Sequence, residues 1–400
     1  PLTRQKASRL ASLLEKGNPD AALHFVFSIL QQLRKIILNP EISKPEESIY
    51  QKRHIAVGIP SMYGRYLEPK FEALGLSFRL EQLASTLMDE ILARINLRYI
   101  SGWTLRRIAQ VLSHFQKGLR LTGIVHEGFN TNVRMLYYSL NTTSFSVHQY
   151  VNLFQFMMKN VRQILQTKFI RPHEKVLRDV LLKQHYADYA AEPDSQQVKN
   201  LHGRAEAFYR ECITSAFLVS RLDSYIAKIL DTLNRMAGSL TPDIIDSVMT
   251  YDPDLMSSPI YQSSHELDSQ IFLGAKGYFL KRLYSYKFPV PPGFILTTEM
   301  FRRRVAISRY PEMSNEIFKL VRGRLGELER LTGKQFGDPR NPLLLSVRSG
   351  AAISLPGAMN TFLNVGMNDH IVELLSEQEN YGWTSWDCYR RFLQSWGMAY

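Results

Sequence analysis

The chain has 400 residues, a hydrophobic share of 45%, a charged share of 22% and a formal net charge of +12. These shares are ordinary for a soluble globular protein, and the length exceeds what one hydrophobic core usually organises, so two or more domains are expected. Cys212 and Cys388 lie far apart and fit no metal or redox spacing, so a reducing compartment is the simpler reading and the cytoplasm the expected location.

From residue 1 to about 240 apolar residues recur at three- and four-residue steps, predicting helices over 21–38, 81–95, 103–120, 147–168 and 204–236. Turn signals such as Gly17-Asn18-Pro19 and Asn39-Pro40 separate them. No fixed period recurs, so an all-α bundle or array is expected rather than a solenoid. Residues 24–38 come nearest to a membrane span, but Gln31, Gln32, Arg34 and Lys35 interrupt the run; a helix with one buried face is expected, and no span. Phe154, Phe156, Met157 and Met158 read as core residues.

The charge is uneven. Residues 1–250 hold 32 Lys and Arg against 22 Asp and Glu, and within 91–180 thirteen basic residues face only Glu127, Glu174 and Asp179. A basic surface attracts phosphate-bearing partners, so 91–180 is a candidate surface for a protein partner or polyanion. The plainer reading is that Arg106, Lys117, Arg120, Lys159, Arg162 and Lys168 form solvated helix faces.

Residues 241–265, rich in Ser, Asp and Pro, read as a linker. Beyond 265 strand and helix alternate. Leu273 to Gly277 opens a helix, and Pro289 to Gly293 is a rigid turn before the strand Phe294 to Thr297. Thr298 is placed to cap the next helix, and 312–332 is a helix ending near Gly333. A buried-looking strand, Leu343 to Val347, delivers Arg348, and a loop with Pro356 and Gly357 leads to a returning strand. Asn368 or Asp369 can cap a helix over 370–378, and 383–398 is helical again. The chain begins at Pro1 and ends at Tyr400 within a helical pattern, so a piece of a longer protein is expected.

Two cations stand out. Lys276 lies at a helix start between glycines, where free N–H groups point at anions. Arg348 ends a strand, where its planar fork can hold phosphate oxygens through two hydrogen bonds. The ten histidines show no metal-ligand spacing, so no metal ligands are assigned, and His370 reads as an ordinary helix-start residue.

The segments LGAKGYFLKRLYSYKFPVPPGFILTTEMF at 273–301, TGKQFGDPRNPLLLSVRSGAAISLPGAMNTFLNVGMND at 332–369 and WDCYRRFLQSW at 386–396 resemble the nucleotide-binding domain of the pyruvate, phosphate dikinase family. The resemblance covers about 265–400. It implies an α/β domain forming the first part of an ATP-grasp-like fold, at 266–400, behind the helical domain at 1–240. It also implies ATP as ligand, with Lys276 as the phosphate-binding lysine and Arg348 as a triphosphate ligand that stabilises transferred charge. Gly357 and Met359 fall on ligand-facing places of the loop that covers the phosphates, and Arg391 on a position facing the site. In the family the phosphoryl group passes to a histidine on a separate domain and on to pyruvate. Magnesium and its acidic ligands are expected from outside this chain.

Three positions depart from the pattern. Ala352 stands where the family commonly has a basic residue, Ala358 replaces a methionine and Asn360 replaces an aspartate. The lost cation and anion can compensate one another. They equally fit an alternative, a catalytically degenerate nucleotide-binding regulatory or scaffold protein whose basic helical domain binds a partner or polyanion. The expected function is the ATP-binding part of a phosphotransferase, with this chain alone inactive.

Overall fold

The computed structural model describes residues 4–39, 69–141, 145–188, 195–350 and 361–399. The chain forms two compact units, Pro1–Leu240 and Thr241–Tyr400.

Among the described residues, the helices of the first unit are α1 (Arg4–Glu15), α2 (Pro19–Leu38), α3 (Pro69–Ala93), α4 (Gly102–Leu121), α5 (Glu127–Ser139), α6 (Val147–Leu165), α7 (Arg171–Asp188), α8 (Ser195–Ser215) and α9 (Val219–Ser239), with a π-helical turn, Gln166–Ile170, joining α6 to α7. Their starts follow from local chemistry. The Asn18 side chain accepts from the Ala21 N–H at 3.0 Å with Pro19 in the first turn of α2, and Ser146 and Gln149 form a reciprocal capping box on α6. At the far end of α4 the Arg34 guanidinium donates to the Leu121 carbonyl at 2.7 Å, occupying an acceptor that the helix leaves open.

Two packed faces illustrate the core of the first unit, to which α4 also gives Leu105, Ile108, Leu112 and Phe115. α2 is long and apolar enough by length and composition to cross a membrane, and it packs against α3 with Leu23, Val26, Leu30 and Leu33 buried. α6 packs against α9, with Phe154, Met157 and Val161 on one side and Leu222, Ile226 and Ile229 on the other, all buried. Two expectations change here. Phe156 is 60% exposed, because two residues beyond Phe154 a helix has turned through roughly 200°. The helix expected over 204–236 is two helices, broken where Leu218 adopts φ 63° before α9.

The second unit contains α10 (Pro242–Met249), β1 (Ser257–Pro259), α11 (Gln270–Ser285), β2 (Phe294–Leu296), α12 (Thr298–Arg302), α13 (Arg304–Arg309), α14 (Pro311–Thr332), β3 (Leu345–Arg348), β4 (Thr361–Val365), α15 (Asp369–Ser376) and α16 (Gly382–Gly397). β1 and β2 form one antiparallel ribbon, with Ser258 opposite Ile295. β3 and β4 form another, with Arg348 opposite Thr361 and a register shift between Leu345 and Val347. α14 ends at Gly333, whose φ of 66° suits glycine, and the Asn368 side chain caps α15 by accepting from the Ile371 N–H at 2.9 Å.

Several expectations are corrected. Residues 241–265, read as a linker, hold α10 and β1, and Tyr251, Met256, Ser257 and Ser258 there are buried. The Thr298 side chain does not cap: the cap position is Thr297, and the Thr298 hydroxyl donates to the Ile271 carbonyl at 2.7 Å. The strand leading to Arg348 is not buried, since Ser346, Val347 and Arg348 are all exposed and only Leu343 ahead of them is buried. An apolar run does not itself supply a partner layer to cover it.

Candidate anion-binding site at Lys276 and Arg348

Ser269 starts α11, its hydroxyl accepting from the Phe272 N–H at 3.5 Å. Five residues later Gly274 interrupts the helix with φ 66° and ψ 169°. That region of backbone space is essentially open to glycine alone. The helix then resumes, and Gly277 lies so close to β2 that a Cβ there would come within 3.0 Å of Ile295 Cδ1. With one side of α11 pressed on β2, Lys276 is left on the exposed side.

The Lys276 ammonium donates to the Ser349 carbonyl at 2.9 Å. The aliphatic stem of Lys276 runs beside Gly350, where an added Cβ would sit 3.6 Å from Lys276 Cβ and Cδ. Ser349 directly follows Arg348, the last residue of β3. The fold thus brings together Lys276 and the end of β3, which are separated by more than seventy residues. Arg348 is exposed, and its Nε donates to Ser346 Oγ at 3.2 Å, on the same face of the strand.

The chemistry of this donor set is specific. An ammonium and a guanidinium are donors with no acceptor, suited to oxyanions and unable to ligate a metal ion. No acidic residue occurs between Ser269 and Thr298, so nothing in that stretch of sequence offsets Lys276. The described residues include no group of three or more His, Cys, Asp and Glu placed to hold a metal ion.

Arg391 lies on α16, exposed, with its Nε 2.7 Å from Asp387 Oδ2. Arg390 holds the same carboxylate at 2.6 Å, and its hydrogen bond, reinforced by the charges of both arginines, keeps Asp387 below the usual carboxylate range. The contacts of Arg391 are thus to an acid on its own helix. His370 is exposed in the first turn of α15. Gly357 and Met359, like Ala352, Ala358 and Asn360, lie outside the described residues.

Lys281 and Ser258, both buried, and half-buried Asp268 form a polar cluster on α11, β1 and the turn before α11 that no motif in the sequence announces. Lys281 followed by Arg282 reads as a solvated pair, and no linear spacing connects either residue to Ser258.

No family model matches the chain. A segment is 42% identical over 125 residues to pyruvate, phosphate dikinase of Entamoeba histolytica, 41% identical over 125 residues to that of Rhizobium meliloti and 40% identical over 126 residues to that of Clostridium symbiosum. The matches cover 31%, 31% and 30% of this chain and 14% of each relative. The chain therefore carries, over somewhat less than a third of its length, a segment related to the pyruvate, phosphate dikinases, and that segment spans a small part of those proteins.

Proposed function

We propose that this chain supplies the ATP-binding part of a phosphotransferase resembling pyruvate, phosphate dikinase, with the second unit as the first part of an ATP-grasp-like domain. The observation that carries the reading is the approach of Lys276 to Ser349 beside Arg348, within a chain whose partial relatives are dikinases.

Phosphoryl transfer depends on alignment and on neutralising charge spread over the phosphate oxygens. Lys276, released from the Ser349 carbonyl, donates to a phosphate oxygen as a compact point charge. Arg348, at the end of an exposed strand, offers its planar fork to neighbouring oxygens. Gly350 leaves space beside the Lys276 stem, so the ammonium can swing without a side chain in its way. Magnesium, when bound with ATP, adds charge neutralisation at the phosphates; Lys276 and Arg348 hold oxygens and leave the metal's ligands to other residues. Gly357, Met359 and Arg391 belong to the proposed ligand contacts through the resemblance, and the phosphoryl acceptor, a histidine and then pyruvate or another acceptor, lies on further domains.

Calorimetric titration of Mg-ATP into the full-length protein tests this. The Lys276→Ala, Arg348→Ala double variant is expected to lose more than tenfold in affinity, since each lost hydrogen bond to a charged group is worth about 1.5–3 kcal/mol. Equal affinity in wild type and double variant would sink the reading.

A further inference from the structure

Lys281 is a buried lysine, 7% exposed, on the same helix as Lys276. Its ammonium donates to Ser258 Oγ at 2.8 Å and pairs with the Asp268 carboxylate. The second oxygen of Asp268 accepts from the Ser264 N–H at 2.8 Å, fixing the acid in the turn before α11. Ser258, 1% exposed, is the middle residue of β1 and lies opposite Ile295 of β2. One ammonium therefore joins the turn before the helix, the helix itself and the β1–β2 ribbon.

At Gly274 the backbone leaves helical geometry and the helix kinks, so the turn before it does not by itself fix the roll of the part that carries Lys276. Beyond that break, α11 meets the ribbon at Gly277 against Ile295 and at Lys281 against Ser258. A close apolar contact resists approach but tolerates rolling of the helix. A buried ammonium does not tolerate it, because rolling would strip Lys281 of both partners and leave an uncompensated charge. Lys276, between Gly274 and these two contacts, takes its direction from them.

We propose that Lys281, gripped by Asp268 and Ser258, is a positioning residue: it sets the roll of α11 and thereby aims the Lys276 ammonium at Ser349 and at a phosphate bound there. The proposal rests on the reading of Lys276 as a phosphate-binding residue.

The test is calorimetric titration of Mg-ATP into the full-length protein carrying Lys276→Ala, Lys281→Met, Lys281→Arg, Asp268→Asn or the Lys276→Ala, Lys281→Met pair, with each melting temperature measured alongside. Lys281→Met is expected to weaken binding about tenfold although it touches no ligand, to do so only when Lys276 is present, and to be rescued in part by Lys281→Arg. A merely structural role would lower the melting temperature and weaken binding equally in both Lys276 backgrounds, which would overturn the proposal, as would wild-type affinity in Lys281→Met. Should Lys281→Met not fold, Asp268→Asn carries the same expectation. If Lys276→Ala itself leaves affinity unchanged, the phosphate reading fails and the positioning role falls with it; if Lys276→Ala weakens binding and Lys281→Met does not, the positioning role alone is wrong.

Discussion

The Lys276 ammonium is bonded to the Ser349 carbonyl at 2.9 Å, so the lysine reaches the end of β3 through a backbone acceptor. A neutral carbonyl is a weaker partner for an ammonium than a phosphate oxygen, and the contact is exposed, so under the proposed function the phosphate displaces it at small cost. Lys276→Met retains most of the stem that lies beside Gly350 and removes the charge. The variant is expected to unfold within about 0.5 kcal/mol of wild type in urea, while its Mg-ATP affinity falls about tenfold or more. A large loss of stability with unchanged affinity would mark Lys276 as structural.

Gly274 permits a contrast between two glycines of the second unit. Its φ of 66° and ψ of 169° exclude a side chain without strain, and Gly274→Ala is expected to cost about 1–3 kcal/mol. Gly323 lies inside α14 with nothing within 4 Å of an added Cβ. Gly323→Ala is expected to stabilise by about 0.4–1 kcal/mol through the unfolded chain. Thermal melts of the two variants should move in opposite directions.

The core of the first unit makes a similar pair testable. Phe154 is fully buried between α6 and α9, whereas Phe156 on the same helix is 60% exposed. Phe154→Ala should cost about 3–5 kcal/mol by lost burial and cavity formation, and Phe156→Ala about 0.5 kcal/mol or less. Urea midpoints measure both; similar losses would mean that both rings are covered in solution.

Acid sensitivity should come from His114. Its Nε2 lies 3.3 Å from Asp20 Oδ1, and the His24 ring is 5.2 Å away, edge to face. Burial pushes His114 below its ordinary 6.5; the Asp20 hydrogen bond opposes this, and the nearby His24 and Lys117 charges add to it. His24 is lowered as well, by burial first and then by Lys117. The folded state thus holds fewer protons than the unfolded chain just below 6.5. Stability is complete above that pH and falls as pH drops through the window down to the folded-state values. Urea midpoints taken at about pH 7.5 and about pH 5.5 should show the loss, and His114→Leu should reduce it. An unchanged slope in His114→Leu would assign the acid sensitivity elsewhere.

The features legible in the amino-acid order are those whose causes lie within a turn of chain. Asn18 before Pro19 and Asn368 before Ile371 each satisfy a helix N–H group from three residues away, and Gly333 ends α14 because glycine accepts the left-handed turn without strain. The resemblance to dikinases is likewise a property of order and spacing, and Lys276 and Arg348 stand out through it and through their residue chemistry. Other features had no local cause. The break at Gly274 turns on which backbone region the chain is forced into, the exposure of β3 on which layers cover it, and the burial of Lys281 on β1 and the turn at Asp268 arriving beside it. The partner of Lys276 is a carbonyl, which every residue carries and no letter distinguishes. Local signals act through covalently fixed distances of a few residues. Burial and carbonyl pairing depend on how remote segments pack, and there the fold chose the acceptor at Ser349 and buried the second lysine.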